Sequence, residues 1–152
     1  MTIFASGSVD EYQLMEHAAA GVPIDGYGVG THLDTSADAP YLDCAYKLQE
    51  YAGRPRRKRS EGKATWPGRK QVYRLQDEHG VMVADTIALE HEACEGAPLL
   101  QPVMREGRRL SPPPSLAEIR AHAARQLAAL PAALRRLDRE ARYPVIVSDG
   151  LR

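Results

Sequence analysis

The chain has 152 residues, of which 43% are hydrophobic, so it has the length and apolar content of one globular domain with a core. Twenty basic and twenty acidic residues cancel, which argues against a general polyanion binder. No apolar run approaches the roughly 18 residues of a membrane span, and residues 1–9 lack the basic start and apolar core of a signal peptide. The two cysteines, Cys44 and Cys94, form no metal or disulfide framework, so we expect a reducing, cytoplasmic setting.

Residues 2–31 predict a strand, a helix and a second strand. The apolar run 3–5 is the first strand, and Ser8 with Glu11 fits a capping box at the start of the helix. Apolar residues then recur at helical spacing up to Gly21, which stands where a left-handed helix end belongs. The run 24–29 is the second strand. Two strands joined by one helix at this spacing are typical of a parallel βαβ unit.

Both predicted strands end in small or hydroxyl-bearing residues. Ser6 and Gly7 follow the first strand, and Gly28, Gly30 and Thr31 close the second. In α/β folds ligands bind at the carboxyl ends of the strands, where glycine lets an oxyanion approach backbone amides and threonine adds a hydroxyl donor. The pattern therefore favours a phosphate site over two ordinary tight turns, in which glycine serves only its backbone freedom.

A polar loop, residues 32–40, follows these turns. His32 is either a ligand or an acid beside the phosphate, or a solvated side chain, and the solvated interpretation is favoured. Asp34 and Asp38 have two interpretations of equal weight. They either reach a magnesium ion or cap a short helix, a position that suits aspartate.

The pattern changes in residues 45–89, where short strand-like runs are separated by turn residues. This pattern predicts an antiparallel meander. The runs are 45–51, 56–60, 71–75 and 81–89. A further short strand is predicted at 98–104. We therefore divide the chain into a βαβ segment with phosphate-binding turns at 1–44, an antiparallel β region at 45–110 and a last segment at 111–152.

The meander contains a basic block of nine lysine and arginine residues against one acid, Glu61. The block consists of Arg54, Arg56, Arg57, Lys58, Arg59, Lys63, Arg69, Lys70 and Arg74. Interleaved with Tyr51, Trp66 and Tyr73, it is compatible with nucleic acid, with a phosphorylated small molecule or with an acidic partner subunit. The alternative is a solvated face whose basic side chains protect strand edges. No nucleic-acid fold signature accompanies the block, so nucleic-acid binding ranks third among the functions.

The last segment opens on a proline-rich link at 111–114 and a second capping box, Ser115 with Glu118. A stripe of apolar residues at steps of three and four then predicts a helix. The stripe consists of Leu116, Ile119, Ala123, Leu127 and Leu130. Packing is favoured over a partner-binding groove as its role. Residues 143–147 predict a terminal strand.

Several motifs together resemble one family. FASGSVDEY is followed by PIDGYGVGT, by TSADAP, by YKL and by SEGKATWPGRKQVYR. PLLQPVMREGRRL, the proline-rich link, the helix and the YPV strand complete the pattern. The whole chain thus resembles the C-terminal portion of the nicotinate phosphoribosyltransferase family, and SEGK-x-T-x-PG-x-K is the most specific of the motifs.

The resemblance implies an α/β fold, the C-terminal part of an incomplete TIM-like barrel, with a small antiparallel β meander and a C-terminal helix. It implies synthesis of nicotinate mononucleotide from nicotinate and phosphoribosyl pyrophosphate, driven by ATP hydrolysis. Mg²⁺ and basic groups would stabilise the departing pyrophosphate, so that catalysis is mainly positioning and electrostatics. Ser6 and Gly7 would line the ribose-phosphate pocket, and Gly28, Gly30 and Thr31 would hold the 5′-phosphate.

The chain departs from the family in two ways. The family's nicotinate-binding residues and its phosphorylated histidine lie upstream of the matched part, and none of the five histidines matches that histidine. Residues 33–35 replace a more apolar stretch.

The chain enters a buried-type strand at Ile3 and shows one βαβ unit, so we expect a piece of the enzyme that is inactive alone. It would need a complementary N-terminal segment and form a homo-oligomer, with no membrane or nucleic-acid partner. The alternative is a non-catalytic, phosphate-binding accessory protein.

Overall fold

The computed structural model describes residues 1–36, 39–41, 44–59, 61–62, 65–138 and 140–152. They form two compact units, Met1–Tyr46 and Lys47–Arg152, and each is described by itself. The described residues form a mixed α/β architecture with one four-stranded and three two-stranded sheets. Among these residues, none of the helices has the length and apolar character that crossing a bilayer requires. The division at 1–44, 45–110 and 111–152 stays a prediction.

The first unit is a small parallel βαβ unit, which confirms the prediction for residues 2–31. It consists of strand β1 (Phe4–Ser6), helix α1 (Glu11–Ala20), strand β2 (Gly26–Gly28) and a one-turn helix α2 (Thr31–Asp34). Strands β1 and β2 pair in parallel, with Phe4 opposite Gly26 and Ser6 opposite Gly28. The ring of Phe4 lies where a side chain at Gly26 would be, so glycine lets the two strands approach at this end.

The N-cap of helix α1 lies two residues after the predicted one. Asp10, in extended conformation, is the N-cap, and its carboxylate accepts a hydrogen bond from the backbone N–H of Gln13 at 2.8 Å. Ser8 has φ +52° and belongs to the turn after β1, so the predicted capping box of Ser8 and Glu11 is wrong. Gly21 ends the helix in the left-handed conformation, with φ +61°, as predicted.

The second unit is built on a mixed four-stranded sheet with the strand order β10-β6-β5-β7. Its elements are β3 (Glu50–Tyr51), β4 (Arg54–Pro55), β5 (Lys70–Gln76), β6 (Met82–Leu89), β7 (Ala97–Pro98), β8 (Met104–Arg105), β9 (Arg108–Arg109), α3 (Leu116–Ala129), a 3₁₀ turn (Ala132–Arg135), β10 (Val145–Val147) and a last 3₁₀ turn (Asp149–Leu151). The β5–β6 hairpin confirms the strands predicted at 71–75 and 81–89. Strand β10 pairs with β6 in parallel, so the sheet is not a pure antiparallel meander.

Three predicted strands are wrong or much shorter in the structure. Of 45–51 only β3 is a strand, and it turns through the left-handed residues Ala52 and Gly53 into β4. Residues 56–59 form no strand, since this run of basic residues has no apolar face to bury.

The strand predicted at 98–104 is replaced by β7 and β8 with irregular chain between them. The side-chain amide of Gln71 accepts from the N–H of Leu100 at 2.8 Å and donates to its carbonyl at 3.0 Å. A side chain thus takes the place of a strand partner just after β7.

The core of the second unit lies along one face of β6. Met82, Ala84 and Ala88 are buried, and Leu151 of the last turn is buried with them. Val83, on the other face, is 43% exposed, which agrees with the alternation expected of a half-buried strand.

Helix α3 begins at the predicted capping box. The hydroxyl of Ser115 accepts from the N–H of Glu118 at 3.3 Å, and the Glu118 carboxylate accepts from the N–H of Ser115 at 2.7 Å. However, no side chain of α3 is buried against the described residues, and Leu116 is 85% exposed. The prediction that the apolar stripe packs within this chain is therefore wrong for most of the helix. Of the stripe residues only Leu130, the residue after α3, is half-buried.

A half-buried ion pair joins the two central strands to the segment before β10. Arg74 on β5 and Asp85 on β6 are opposite each other, and the guanidinium donates to both carboxylate oxygens, at 2.8 and 2.7 Å. The hydroxyl of Tyr143 donates to the same carboxylate at 3.0 Å. The side chains of Arg74 and Asp85 are 24% and 13% exposed. The hydrogen bond from Arg74 is the main cause that lowers the pKa of Asp85.

We expect Arg74→Met to destabilise the chain by about 1–3 kcal/mol at pH 7, because it leaves the Asp85 carboxylate unpaired and largely buried. Since the folded pKa of Asp85 is lowered, the pair stabilises above the unfolded pKa of about 3.9 and this contribution is lost as the pH falls through the folded value. Melting curves from pH 7 down to pH 2 measure the difference. Arg136→Met, which removes the exposed pair with Asp138, is the control and should change little. A constant Arg74→Met effect across this range would contradict the assignment.

Candidate phosphate-binding edge

The predicted phosphate-binding residues converge at the carboxyl ends of β1 and β2. Because the strands are parallel, both ends meet at one edge, where Ser6 lies opposite Gly28. Gly7 follows Ser6 directly, and Gly30 and Thr31 follow Gly28 at the start of α2. We call these five residues the phosphate edge. The structure thus brings the two turns together, and phosphate binding itself stays a prediction.

Two glycines of the phosphate edge have a structural reason to be glycine. Gly7 has φ +111°, a conformation that residues with a side chain rarely adopt. At Gly28 a Cβ would lie 3.1 Å from the Cβ of Ser6, tighter than an ordinary contact. The turn after β1 therefore depends on backbone conformation, and the edge at β2 depends on close approach.

Gly30 differs from these two glycines. Its φ is −150°, outside the left-handed region that favours glycine. A Cβ at Gly30 would meet nothing within 4 Å among the described residues. Any effect of a side chain there comes from filling open space beside the edge.

Thr31 opens α2 with its side chain exposed. Among the described residues its hydroxyl has no hydrogen-bond partner, whereas the Thr35 hydroxyl donates to the Thr31 carbonyl at 2.5 Å. Thr35 thus stabilises α2 through this hydrogen bond. The Thr31 hydroxyl is therefore one side-chain donor that the edge offers to a ligand, and the Ser6 hydroxyl is another.

The polar loop contributes little defined chemistry to the edge. His32 is exposed, which agrees with the favoured interpretation of a solvated side chain. Asp34 is the last residue of α2, whose N-cap is Gly30, so Asp34 does not cap this helix. Asp38 lies outside the described residues. In the described part of the chain, no three histidine, cysteine, aspartate or glutamate side chains come together as a metal site.

The basic block contains side chains that bind other residues of the second unit and side chains that are exposed. Arg69 pairs with Glu50 at 2.9 Å, and Arg74 pairs with Asp85. Lys70 donates to the Gln49 side chain and the Gly68 carbonyl, and burial lowers its pKa. Three of the nine basic groups therefore stabilise the second unit.

The other described members of the block are exposed, and they form no salt bridge with any described residue. They are Arg54, Arg56, Arg57, Lys58 and Arg59. Lys63, with Ser60 of the SEGK motif, lies outside the described residues. The continuous basic surface that nucleic-acid binding needs is thus reduced to one short run.

Asp25 is a polar residue of the first unit that the sequence patterns missed. Its carboxylate Oδ2 accepts from the N–H of Ile3 at 2.7 Å, and its own N–H donates to the Ile3 carbonyl at 2.9 Å. These bonds join the amino ends of β1 and β2. In the sequence Asp25 lies inside the run predicted as a strand, and no local pattern links it to a residue 22 positions earlier.

Comparison with known proteins gives consistent matches. The family model described as the nicotinate phosphoribosyltransferase C-terminal domain matches residues 92–152. A nicotinate phosphoribosyltransferase of Mycobacterium tuberculosis is 50% identical over 151 residues, covering 98% of this chain and 32% of that protein. The Bos taurus nicotinate phosphoribosyltransferase is 33% identical over 174 residues, with the same two coverages.

A solved structure shows the same fold. The crystal structure of human nicotinic acid phosphoribosyltransferase superposes with a TM-score of 0.77 at 28% sequence identity. The match covers 99% of this chain and 32% of the human chain. The chain therefore spans about a third of the length of the relatives it matches.

Proposed function

Since the chain belongs to the nicotinate phosphoribosyltransferase family, as its C-terminal portion, we propose that it works as the C-terminal segment of such an enzyme. The reaction would join nicotinate to phosphoribosyl pyrophosphate, with ATP hydrolysis, and form nicotinate mononucleotide in NAD salvage. The observation that supports a role in this reaction is the phosphate edge, where Ser6 and Gly28 meet at the carboxyl ends of two parallel strands.

We propose that the phosphate edge binds the 5′-phosphate of the ribose. Gly28 and Gly30 present backbone without side chains, and the Thr31 hydroxyl, which has no partner within the described part of the chain, adds a donor. Ser6 and Gly7 would line the ribose-phosphate pocket from β1. Holding the phosphate fixes the ribose carbon in line with nicotinate and the leaving pyrophosphate, so this segment contributes positioning.

The described residues do not fit a magnesium site, since three suitable ligands come together nowhere among them. We propose that Mg²⁺ and ATP, which the family resemblance implies, bind residues outside this segment.

We propose that β1 and β2 belong to an incomplete TIM-like barrel. The other strands of this barrel would come from a segment equivalent to the part of the relatives that precedes the matched third. Parallel strands are normally covered on both faces, yet Phe4 is 72% exposed and Ile3 and Val29 are each 43% exposed. The exposed apolar stripe of α3 supports a further partner surface, either on that segment or in a homo-oligomer.

The test uses a joined enzyme, in which this chain follows the preceding two thirds of the Mycobacterium tuberculosis relative. We expect Thr31→Val in the joined enzyme to weaken nicotinate mononucleotide binding by about 1–3 kcal/mol, because one hydroxyl donor to a charged phosphate is lost while the shape is kept. Calorimetric titration measures the loss. Thr2→Val is the control, because it removes an exposed hydroxyl that lies just before the amino end of β1, away from the phosphate edge. Equal affinity of both variants would mean that the GVGT stretch is only a turn.

A further inference from the structure

We propose that Asp25 is a positioning residue for the phosphate edge. It fixes β1 against β2 at their amino ends and thereby sets Ser6 opposite Gly28 at their carboxyl ends. The inference rests on the proposed function, because it concerns the same phosphate-binding residues. Asp25 itself would contact no substrate.

The geometry at the amino ends forms a closed arrangement around Ile3. The Asp25 carboxylate accepts from the Ile3 N–H at 2.7 Å, while the N–H groups of Asp25 and Gly26 both donate to the Ile3 carbonyl, at 2.9 and 3.3 Å. A side chain and the main chain of β2 thus hold both polar groups of one residue. This arrangement defines a single register.

Register decides the edge because the strands are short. Strands β1 and β2 have three residues each, so few ladder bonds oppose a slip. A shift of one residue would turn the Ser6 side chain to the opposite face of the sheet and remove it from Gly28. The close approach of Ser6 and Gly28 depends on this register. A Cβ added at Gly28 would lie 3.1 Å from the Cβ of Ser6.

Asp25 acts through geometry and not through its charge. Three residues of strand separate it from the far end of β2, about 10 Å at roughly 3.3 Å per residue. A carboxylate beside the phosphate would repel it, whereas one at the other end of the strand does not touch it. A neutral asparagine, which keeps an acceptor oxygen, should therefore replace aspartate.

Two measurements test the proposal with Asp25→Ala, Asp25→Asn and the control Asp10→Ala, which removes the side-chain acceptor that caps α1. In the full 152-residue chain, Asp25→Ala should speed amide hydrogen exchange at residues 26–28 by about five- to tenfold, as expected for one lost hydrogen bond. Asp10→Ala should speed exchange only in the first turn of α1. Asp25→Asn should exchange within about twofold of the unmutated chain.

In the joined enzyme, Asp25→Ala should raise the KM for phosphoribosyl pyrophosphate roughly tenfold and leave kcat and the KM for nicotinate within about twofold. A merely structural role would lower the active fraction, and hence kcat, with both KM values unchanged; that result overturns the proposal. Failure of Asp25→Asn to restore the KM overturns it too. If the unmutated joined enzyme is inactive, the proposed function fails, while exchange at residues 26–28 still decides whether Asp25 positions the edge.

Discussion

The joined enzyme is expected to form nicotinate mononucleotide from nicotinate, phosphoribosyl pyrophosphate, ATP and Mg²⁺, whereas this chain alone forms none. The chain covers only 32% of the Mycobacterium tuberculosis relative, so most of the enzyme's residues lie outside it. Turnover by the joined enzyme should exceed the uncatalysed reaction by at least about a millionfold, the low end of typical enzymatic rate enhancements. Chromatographic detection of the product measures it.

Two results would contradict this account of the chain. Clear turnover by the chain alone would mean that its own residues supply the nicotinate site. A folded joined enzyme without turnover would favour the alternative, a phosphate-binding accessory protein without the chemistry. The Mycobacterium tuberculosis enzyme in its natural form is the positive control for the assay.

Gly28→Val in the joined enzyme should lower kcat/KM for phosphoribosyl pyrophosphate by at least about a hundredfold, which corresponds to about 2.7 kcal/mol. A Cβ at this position would lie 3.1 Å from the Cβ of Ser6, and valine adds two methyl groups to that Cβ. The side chain would force β1 and β2 apart at the edge and occupy the space that a phosphate oxygen needs. Steady-state kinetics with varied phosphoribosyl pyrophosphate measures the loss.

Ala5→Val is the matched control for Gly28→Val. It adds the same two methyl groups in the neighbouring strand at a half-buried residue that points to the opposite face from Ser6. We expect it to change kcat/KM by less than about threefold. Equal losses in both variants would show that any added bulk disturbs the βαβ unit, and the phosphate edge would have no special role.

The sequence was sufficient where the structure depends on local signals. The βαβ order, the left-handed Gly21, the Ser115–Glu118 capping box and the β5–β6 hairpin are all set by neighbours in the chain. The convergence of Ser6 and Gly28 was also predictable, because parallel strands bring their carboxyl ends to one edge.

One error is local, and the others come from contacts between residues distant in sequence. Asp10 and not Ser8 caps α1, because the turn after β1 needs two more residues than the sequence pattern indicates. Gln71 holds Leu100 in place of a strand, and Asp25 binds Ile3, and neither bond has a local signature. The exposure of the α3 stripe was unpredictable for another reason: apolar spacing identifies a face that is to be covered and not what covers it.

We propose the 5′-phosphate of the ribose as the ligand of the phosphate edge. Calorimetric titration of the joined enzyme and its Gly28→Val variant, with nicotinate mononucleotide and with the same nucleoside without phosphate, tests this binding. We predict that the unmutated enzyme prefers the nucleotide by at least about a hundredfold, as expected for several charge-assisted hydrogen bonds. In Gly28→Val this preference should fall below about tenfold, because the affinity for the nucleotide falls more than the affinity for the nucleoside. The same preference in both proteins would contradict the claim.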